Sequence, residues 1–267
     1  MKDRLGKYIF VYRNQILKSF TYKFKVYGNI LTQTIIMIAS AFFWKALYRG
    51  TDSVMGVSVE TMLTYTVVSS MISILLMTNV ERRIQNSVRK GTIAVDMMRP
   101  MNVFRGYLAE DLGNMTALIF QNLIPILIIG TIFIGFPAPA SVGNFFLFLA
   151  SLILAYIINW VMAALFGMLA FSVVELDALI QVKKHLIRLL SGSIIPIWFM
   201  PFWFKNILEC LPFVYLYQMP LNIYVGQYTT ESLIKGLSIQ MAWAVALLLI
   251  YAWRQKSIGK KLMVQGG

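Results

Sequence analysis

LGNMTALIFQNLIPILIIGTIFIGFPAPASVGNFFLFLASLILAYIINWVMAALFGMLAFSVV, residues 112–174, is a run of 63 residues without a charged side chain or a histidine. A helix needs about 20 apolar residues to cross a hydrocarbon core, so the run is about three spans long. Residues 136–140, Phe-Pro-Ala-Pro-Ala, interrupt it with a turn-like sequence. Even well-buried helices of soluble proteins turn a polar face to water. The run therefore predicts a transmembrane hairpin, and 58% hydrophobic against 13% charged residues extend that prediction to the whole chain.

Five shorter charge-free runs flank this hairpin. They cover residues 26–44, 61–80, 189–204, 210–230 and 236–253. Because peptide groups at bilayer depth must be hydrogen-bonded within the chain, full-length apolar runs should be helices. The runs 189–204 and 210–230 are the weaker two, since together they hold four of the eight prolines. Proline removes a donor and clashes with the preceding turn, which favours one span followed by broken, re-entrant or interfacial helices over two straight spans.

Basic residues decide between six and seven spans. Lys and Arg concentrate on the cytoplasmic side of membrane proteins. Six spans place 20 of the 24 basic residues on that side and leave Lys45, Arg49, Lys205 and Lys235 outside. A seventh span over 210–230 would move the basic C-terminal segment outside. We therefore predict an all-α, polytopic protein of the cytoplasmic membrane with six transmembrane helices and both termini in the cytoplasm. The same bias explains the net charge of +13 without a nucleic-acid partner.

Residues 1–25 predict an amphipathic helix at the inner membrane interface. Apolar side chains recur there at helical spacing among basic residues: Leu5, Tyr8, Ile9, Tyr12, Ile16 and Phe20. A basic amphipathic helix of this kind lies in the interface with its apolar face in the lipid. A solvated basic arm is the alternative. A cleaved signal peptide is not expected, because the first apolar run begins late and exceeds the length of a signal core.

The spans lack the chemistry that several membrane functions require. No Asp, Glu, Lys, Arg or His stands in their central portions, whereas proton-coupled carriers need an ionisable group at depth. The single histidine, His185, lies in a cytoplasmic loop and is explained more simply as a solvated residue than as a catalyst. Residues 190–193, Leu-Ser-Gly-Ser, begin an apolar span, which favours a helix-packing site of small residues over a nucleotide contact. We expect no enzymatic activity, cofactor or metal in this chain.

The segment 81–111 is the large cytoplasmic insertion between the second and third spans. Ile84 and Val88 stand four residues apart among basic side chains, which predicts a short helix that ends at Gly91. Ile93, Met97 and Met98 predict a second short helix, ended by Pro100. Two such helices fit a groove on a cytosolic protein, with charge setting orientation and apolar residues supplying the contact. A basic loop resting on anionic lipid headgroups fits the composition equally well.

Two motif regions resemble a family of transport proteins. One follows the second span, and the other is the proline-punctuated region before the last span. Their residues are Arg89, Gly91-Thr92-Ile93, Met97-Met98-Arg99-Pro100 and Phe104, then Ser191-Gly192, Pro196, Pro201, Leu211-Pro212-Phe213, Pro220 and Gly226. In order and spacing they are similar to type-2 ATP-binding-cassette (ABC) exporter permeases of a six-span drug and antibiotic subfamily. The similarity covers essentially the whole chain.

The resemblance implies a permease subunit that pairs with an identical or sibling permease and binds two copies of a cytosolic ATPase, which carries the ATP and magnesium. It also implies a re-entrant region at 201–230 on the outer side, and a coupling helix after the second span that contacts the ATPase. The coupling residues are then Glu81, Arg82, Arg83, Val88, Arg89, Gly91, Arg99 and Pro100. Glu175 and Asp177, at the inner end of the fourth span, are candidates for a second cytoplasmic contact.

Aromatic residues concentrate between residues 197 and 217, where eight of 21 side chains are aromatic. Broken helices at membrane depth are tolerated where they line a cavity, and aromatic walls suit an apolar or cationic passenger. We predict that the translocation path runs along the permease–permease interface and exits beneath this segment. The candidate path residues are Trp198, Phe199, Phe202, Trp203 and Phe213. Anchoring of the outer leaflet by these rings is the alternative.

Three functions remain open at this stage. The resemblance implies export of a hydrophobic or amphipathic small molecule, drug-like or antibiotic-like, across the cytoplasmic membrane. Export of a lipid-linked polysaccharide or a peptide is the second, because aromatic rings stack on sugars and 14% of the residues are aromatic. A non-transporting membrane scaffold that recruits a cytosolic partner is the third. An adjacent ATPase gene would favour the exporter.

Overall fold

The computed structural model describes residues 2–21, 23–98, 101–173 and 175–265. These residues are mostly helical, as the long apolar runs predict. In chain order the helices are α1 (Lys2–Thr21), α2 (Lys23–Leu47), α3 (Val59–Leu75), α4 (Val80–Arg89), α5 (Thr92–Met98), α6 (Val103–Leu118), α7 (Ile124–Phe133), α8 (Val142–Met168), α9 (Asp177–Leu190), α10 (Phe202–Glu209), α11 (Gln218–Val225) and α12 (Thr230–Gln265). A short antiparallel hairpin of β1 (Ser53–Val54) and β2 (Val57–Ser58) joins α2 to α3.

Five helical segments of the described chain are long and apolar enough to cross a membrane. They are Val26–Leu47, Val59–Arg89, Val103–Phe133, Val142–Phe171 and Thr230–Ile258. The third joins α6 to α7 through a π-helical turn, Ile119–Leu123, and residues 134–141 then connect it to α8. The predicted hairpin over 112–174 therefore matches two antiparallel helical segments. These helices confirm an all-α polytopic membrane protein, with five spans by length and composition instead of the predicted six.

The predicted fifth span, residues 189–204, is not a continuous helix, so that prediction is wrong in its secondary structure. Helix α9 ends at Leu190, and α10 begins at Phe202 after irregular chain and a 3₁₀ turn, Ile197–Phe199. Gly192 has a φ of +80°, a conformation that L side chains rarely adopt. Pro196 and Pro201 then precede the two helical pieces and lack the N–H that a continuous helix would need.

Helix α8 forms the centre of the bundle and packs against α4, α11 and α12. Its buried residues include Ala155, Ala163 and Ala164, all fully buried, and small side chains let neighbouring helices approach closely. At Gly167 an added Cβ would lie 2.9 Å from the Cα of Glu81. The backbone of α4 therefore rests directly on α8, and a larger side chain at this glycine would separate the two helices.

Helix α1 lies along α6. An added Cβ on Gly113 would lie 2.5 Å from the carbonyl oxygen of Tyr12, and the Tyr12 hydroxyl is 3.0 Å from Thr116 Oγ1. On its other face α1 exposes apolar side chains: Leu5, Ile9, Phe10, Leu17 and Phe20. The structure thus has the predicted amphipathic helix, with an apolar face that the described chain leaves uncovered. Its position in the membrane interface stays a prediction.

Both short helices predicted after the second span are present as α4 and α5. Gly91, with a φ of +71°, ends α4 in the left-handed conformation that favours glycine. Between α3 and α4 the helix is broken at residues 76–79, and Asn159 Nδ2 donates a hydrogen bond to the Leu76 carbonyl there at 2.7 Å. We call the end of the bundle that carries α1, α4 and α5 the α4 end.

The segment 201–230 contains two helices of eight residues, α10 and α11, each too short to span a membrane. Residues 218–224 of α11 are all buried against α3 and α8. Gly226, with a φ of +74°, ends α11. The segment is broken as the prolines predicted, while its re-entrant path on the outer side stays a prediction.

Candidate functional site

A cavity of about 460 Å³ lies between α2, α3 and α9. This volume is in the range of small-molecule sites. Its walls are rich in hydroxyl and amide groups: Asn29, Thr32, Gln33, Ser40, Tyr65, Thr66, Ser69, Ser70, Ser73, Thr78, Asn159, Ser193 and Tyr217. Charged side chains line it at the α4 end: Glu81, Lys183, Lys184 and Arg188. The cavity therefore combines a polar wall with a predominantly basic end.

The polar wall follows from the spacing of residues along α3. Thr66, Ser69, Ser70 and Ser73 recur at three and four residues, so they share one helix face. Three of these hydroxyls donate to the carbonyl one turn earlier, at 2.9–3.0 Å. Hydroxyls bonded in this way satisfy their own donor and keep lone pairs free. The α3 wall thus offers the cavity hydrogen-bond acceptors.

The break after α9 forms the end of the cavity away from α4. An added Cβ on Gly192 would lie 2.2 Å from Gln218 Oε1, so no other residue fits there without displacing that amide. Gln218 N donates to the Ser191 carbonyl at 3.0 Å, and Ser69 Oγ donates to the Ser193 carbonyl at 2.7 Å. These bonds replace the ones that the broken helix lacks. The interpretation of residues 190–193 as a helix-packing site misses this break.

A buried network around Gln218 joins three parts of the fold at this break. Tyr65 Oη lies 2.6 Å from the Gly192 carbonyl oxygen and 2.9 Å from Gln218 Oε1. The same Oε1 accepts from Ile197 N at 3.0 Å, and Gln218 Nε2 donates to Asn222 Oδ1 at 2.7 Å. Satisfied buried networks hold one arrangement of the chain. This network connects α3, the segment after α9, and α11.

A buried ion pair at the other end of the cavity connects α4 with α9. Glu81 has no exposed surface, its Oε2 accepts from Lys183 Nζ, and Lys183 is 5% exposed. Lys184 Nζ lies 3.4 Å from the other carboxylate oxygen. Burial lowers the pKa of Lys183, and the neighbouring Glu81 carboxylate opposes that shift. Because breaking a buried pair leaves an uncompensated charge, the contact links the two helices firmly.

The predicted coupling residues divide between the inside and the surface. Glu81 is buried in the ion pair, and Val88 packs against the main core, the cluster of buried apolar side chains that includes Ile84 and Trp160. Arg83 pairs with Glu110 and stands over the Tyr107 ring. The surface positions are Arg82, Arg89 and Gly91, whereas Arg99 and Pro100 lie outside the described residues.

Helix α4 exposes Arg82, Asn86 and Arg89, which share one helix face, and the next helix, α5, exposes Val95 and Met98; we call these five residues the docking face. Val95 is 60% exposed and Met98 84% exposed. Apolar residues with surrounding charges are typical of a protein contact. The two candidates for a second cytoplasmic contact lie at or just before the start of α9. Asp177 accepts a hydrogen bond from Gln85 Nε2 at 3.5 Å, and Glu175 is exposed.

None of the five aromatic residues predicted to line the path is among the residues that line the cavity. Trp198 packs edge-on against Tyr65 with ring centres 5.3 Å apart, and Phe199 stacks on Trp44 at 5.4 Å. Phe202 and Trp203 are 78% and 67% exposed, as lipid anchors would be, and Phe213 packs against the main core. The path assignment of these five side chains stays a prediction.

Sequence reasoning missed the cavity, although part of its signal was present. The spacing of Thr66, Ser69, Ser70 and Ser73 within an apolar run is visible in the sequence and indicates a polar helix face. The pairing of Glu81 with Lys183 joins residues 102 positions apart and has no local signal. Among the described residues, no group of three or more His, Cys, Asp or Glu side chains is arranged to hold a metal ion.

Comparison with known families gives a match to the ABC-2 family transporter protein over residues 34–257. The chain belongs to the ABC-2 transporter family. The match includes the second half of α2 and most of α12, and with them the α3 and α9 walls of the cavity and the docking face. Membership makes this ABC-2 chain a membrane transport subunit and implies an ABC ATPase as its partner in general. No curated protein matches it significantly. The resemblance to type-2 ABC permeases is confirmed, and the drug and antibiotic subfamily stays a prediction.

Proposed function

We propose that this ABC-2 protein is the membrane subunit of an ATP-driven exporter in the cytoplasmic membrane, with the α4 end in the cytoplasm. Two permease subunits, identical or sibling, bind two copies of the ATPase through their docking faces. The observation that carries the proposal is the buried contact between Glu81 and Lys183. It connects the helix that bears the docking face to a helix that lines the cavity.

The connection supplies a route for force. A displacement of α4 by the ATPase acts on Lys183 through Glu81 and so moves α9. Helix α9 ends at the break beside Gly192, and residues 191–196 are irregular. Short irregular segments of this kind absorb changes in φ and ψ while the helices on either side move as rigid units. The wall of the cavity can thus shift without unfolding α9.

The substrate we propose is an amphipathic small molecule. Hydroxyl and amide groups line the cavity together with apolar side chains from α2, α9 and the segment after α3, so polar and apolar parts of a ligand both find partners. The passage runs along the permease–permease interface and leaves beneath residues 197–217. A lipid-linked polysaccharide is the second candidate, because the acceptor-rich wall of α3 suits a hydroxylated ligand. If the protein were a scaffold that only recruits a partner, this cavity would have no function.

The test is assembly with a candidate ABC ATPase from the same genome, followed by ATP hydrolysis and transport in proteoliposomes with a panel of amphiphiles. The decisive variant is Arg82→Glu with Arg89→Glu, since both residues are exposed on the docking face. Exposed ion pairs are individually worth about 0–1 kcal/mol, so the two changes are combined. We expect loss of assembly or of transport at retained hydrolysis.

The matched control is Lys18→Glu with Arg105→Glu, which reverses the same number of exposed charges at the α4 end but outside the docking face. It should assemble and transport normally. Equal behaviour of the two double variants would remove the docking face from the proposal. Failure of the wild-type chain to bind any ABC ATPase would contradict the exporter function itself.

A further inference from the structure

The basic end of the cavity has more positive charge than its carboxylate can neutralise. Of the four charged side chains that line the cavity, Glu81 is the only acid. It is already paired with Lys183 and lies 3.4 Å from Lys184. Arg188 makes no side-chain hydrogen bond or ion pair with any described residue, and it is exposed into this space. One guanidinium is therefore available to a ligand.

Lys184 and Arg188 lie on the same face of α9. They are four residues apart, which places them about 6 Å apart along the helix axis. Lys184 also lines the cavity, and its side chain is 39% exposed. Two cations at this separation suit a phosphate, sulfate or carboxylate group. A guanidinium binds such groups with two parallel hydrogen bonds.

The rest of the cavity has a different chemistry. Ile36, Leu76, Ile187 and Ile194 supply apolar surface, and the α3 hydroxyls supply acceptors. A ligand that satisfies all three regions has an anionic group, an apolar portion and hydrogen-bond donors. A cationic amphiphile would meet Arg188 with a like charge, which disfavours its binding. The aromatic segment 197–217 alone favours the opposite charge, but of its eight rings only that of Tyr217 lines the cavity.

Building on the exporter function proposed above, we propose that the cavity selects anionic amphiphiles, with Arg188 and Lys184 as the residues that recognise the anionic group. Membrane phospholipids and free amphiphiles share this chemistry. The cavity differs from a general basic surface because its two cations stand beside a polar wall in one concave space of about 460 Å³.

The experiment uses the purified full-length chain in phosphatidylcholine nanodiscs, with no ATPase present. The probe is dodecyl phosphate that carries a diazirine in its chain, and the comparison probe is the corresponding dodecyl trimethylammonium. After irradiation, peptides from α2, α3 and α9 are quantified by mass spectrometry as a function of probe concentration. We expect saturable labelling by the phosphate probe at a concentration at least about tenfold lower than for the ammonium probe.

Variants identify the recognising groups. Arg188→Gln should weaken phosphate-probe labelling about tenfold, because it removes a charge-assisted contact, and Arg188→Lys should retain most of it. Lys18→Gln removes an exposed positive charge away from the cavity and should change nothing. Replacing a fifth of the phosphatidylcholine with phosphatidylglycerol distinguishes the sources. Competition by this lipid means that a lipid headgroup occupies the site, and undiminished labelling means that a free amphiphile does.

Each of the following results would overturn the inference. They are equal labelling by both probes, unchanged labelling of Arg188→Gln, and an equal loss in Lys18→Gln. The absence of saturable labelling by either probe would also overturn it. None of these outcomes bears on ATPase assembly or ATP-dependent transport, so the proposed exporter function is tested separately by those two measurements.

Discussion

Replacement of Glu81 by Gln tests the connection between α4 and the cavity wall. Glu81 is fully buried and Lys183 is 5% exposed, so the variant leaves a buried ammonium group without its counter-charge. Removal of one partner of a buried ion pair costs about 3–5 kcal/mol. For a chain of this size that loss corresponds to a fall in Tm of about 6–20 °C. The removal of both charges, in Glu81→Met with Lys183→Met, should cost far less, because no charge is then left unpaired.

Thermal unfolding of the detergent-solubilised chain, followed by size-exclusion chromatography, measures these changes. Glu110→Gln is the matched control, because Glu110 pairs with an arginine that is 48% exposed, and such pairs contribute about 0–1 kcal/mol. In the complex with the ATPase, Glu81→Gln should hydrolyse ATP while transport falls. The reasoning fails if Glu81→Gln is no less stable than Glu110→Gln, or if the double Met variant is as unstable as the single one.

Two further predictions concern the helix break and the membrane orientation. Gly192→Ala should lose about 2–4 kcal/mol of stability, because it forces a side chain into a left-handed conformation and displaces the Gln218 amide, which would lie 2.2 Å away. Gly143→Ala, whose added Cβ would meet no atom closer than 3.7 Å, is the control, and equal Tm values would contradict the account of the break. In a cysteine-free background, Asp52→Cys should react with an impermeant reagent that is added outside the cell. Asn86→Cys should react only when the reagent reaches the cytoplasmic side. Labelling of Asn86→Cys in intact cells would contradict the predicted topology.

Those parts of the fold that depend on local chemistry could be predicted from the sequence. The charge-free run 112–174 predicts two antiparallel helical segments, because hydrophobic length alone decides a span. Ile84, Val88 and Gly91 predict α4 and its end, because helical spacing and a left-handed glycine are local properties. The family follows from the order of short motifs along the chain, and the match over residues 34–257 confirms it.

The parts that depend on long-range contacts could not be predicted. Residues 189–204 are apolar enough for a span, but the buried Gln218 amide stabilises a break at Gly192. A hydropathy profile sums the apolar character of individual side chains, so it does not detect a distant hydrogen-bond partner such as Gln218. The prediction that Glu81 is a coupling residue takes it for a surface group, because arginines follow it in the sequence. Its burial depends on Lys183, which the sequence places in another loop.

The central claim is that the cavity between α2, α3 and α9 belongs to the transport path, and cysteine accessibility tests it most directly. In a cysteine-free background, Ser73→Cys places a thiol in the cavity wall, and Ile35→Cys places one on an exposed part of α2 that does not line the cavity. The reagent is the anionic, impermeant sulfonatoethyl methanethiosulfonate, applied to inside-out vesicles that contain the complex with the ATPase. We predict that Ser73→Cys reacts, that its modification blocks transport, and that ATP with vanadate changes its rate of reaction, while Ile35→Cys shows none of these effects. A Ser73→Cys thiol that is unreactive, or that reacts without any effect on transport, would contradict the account.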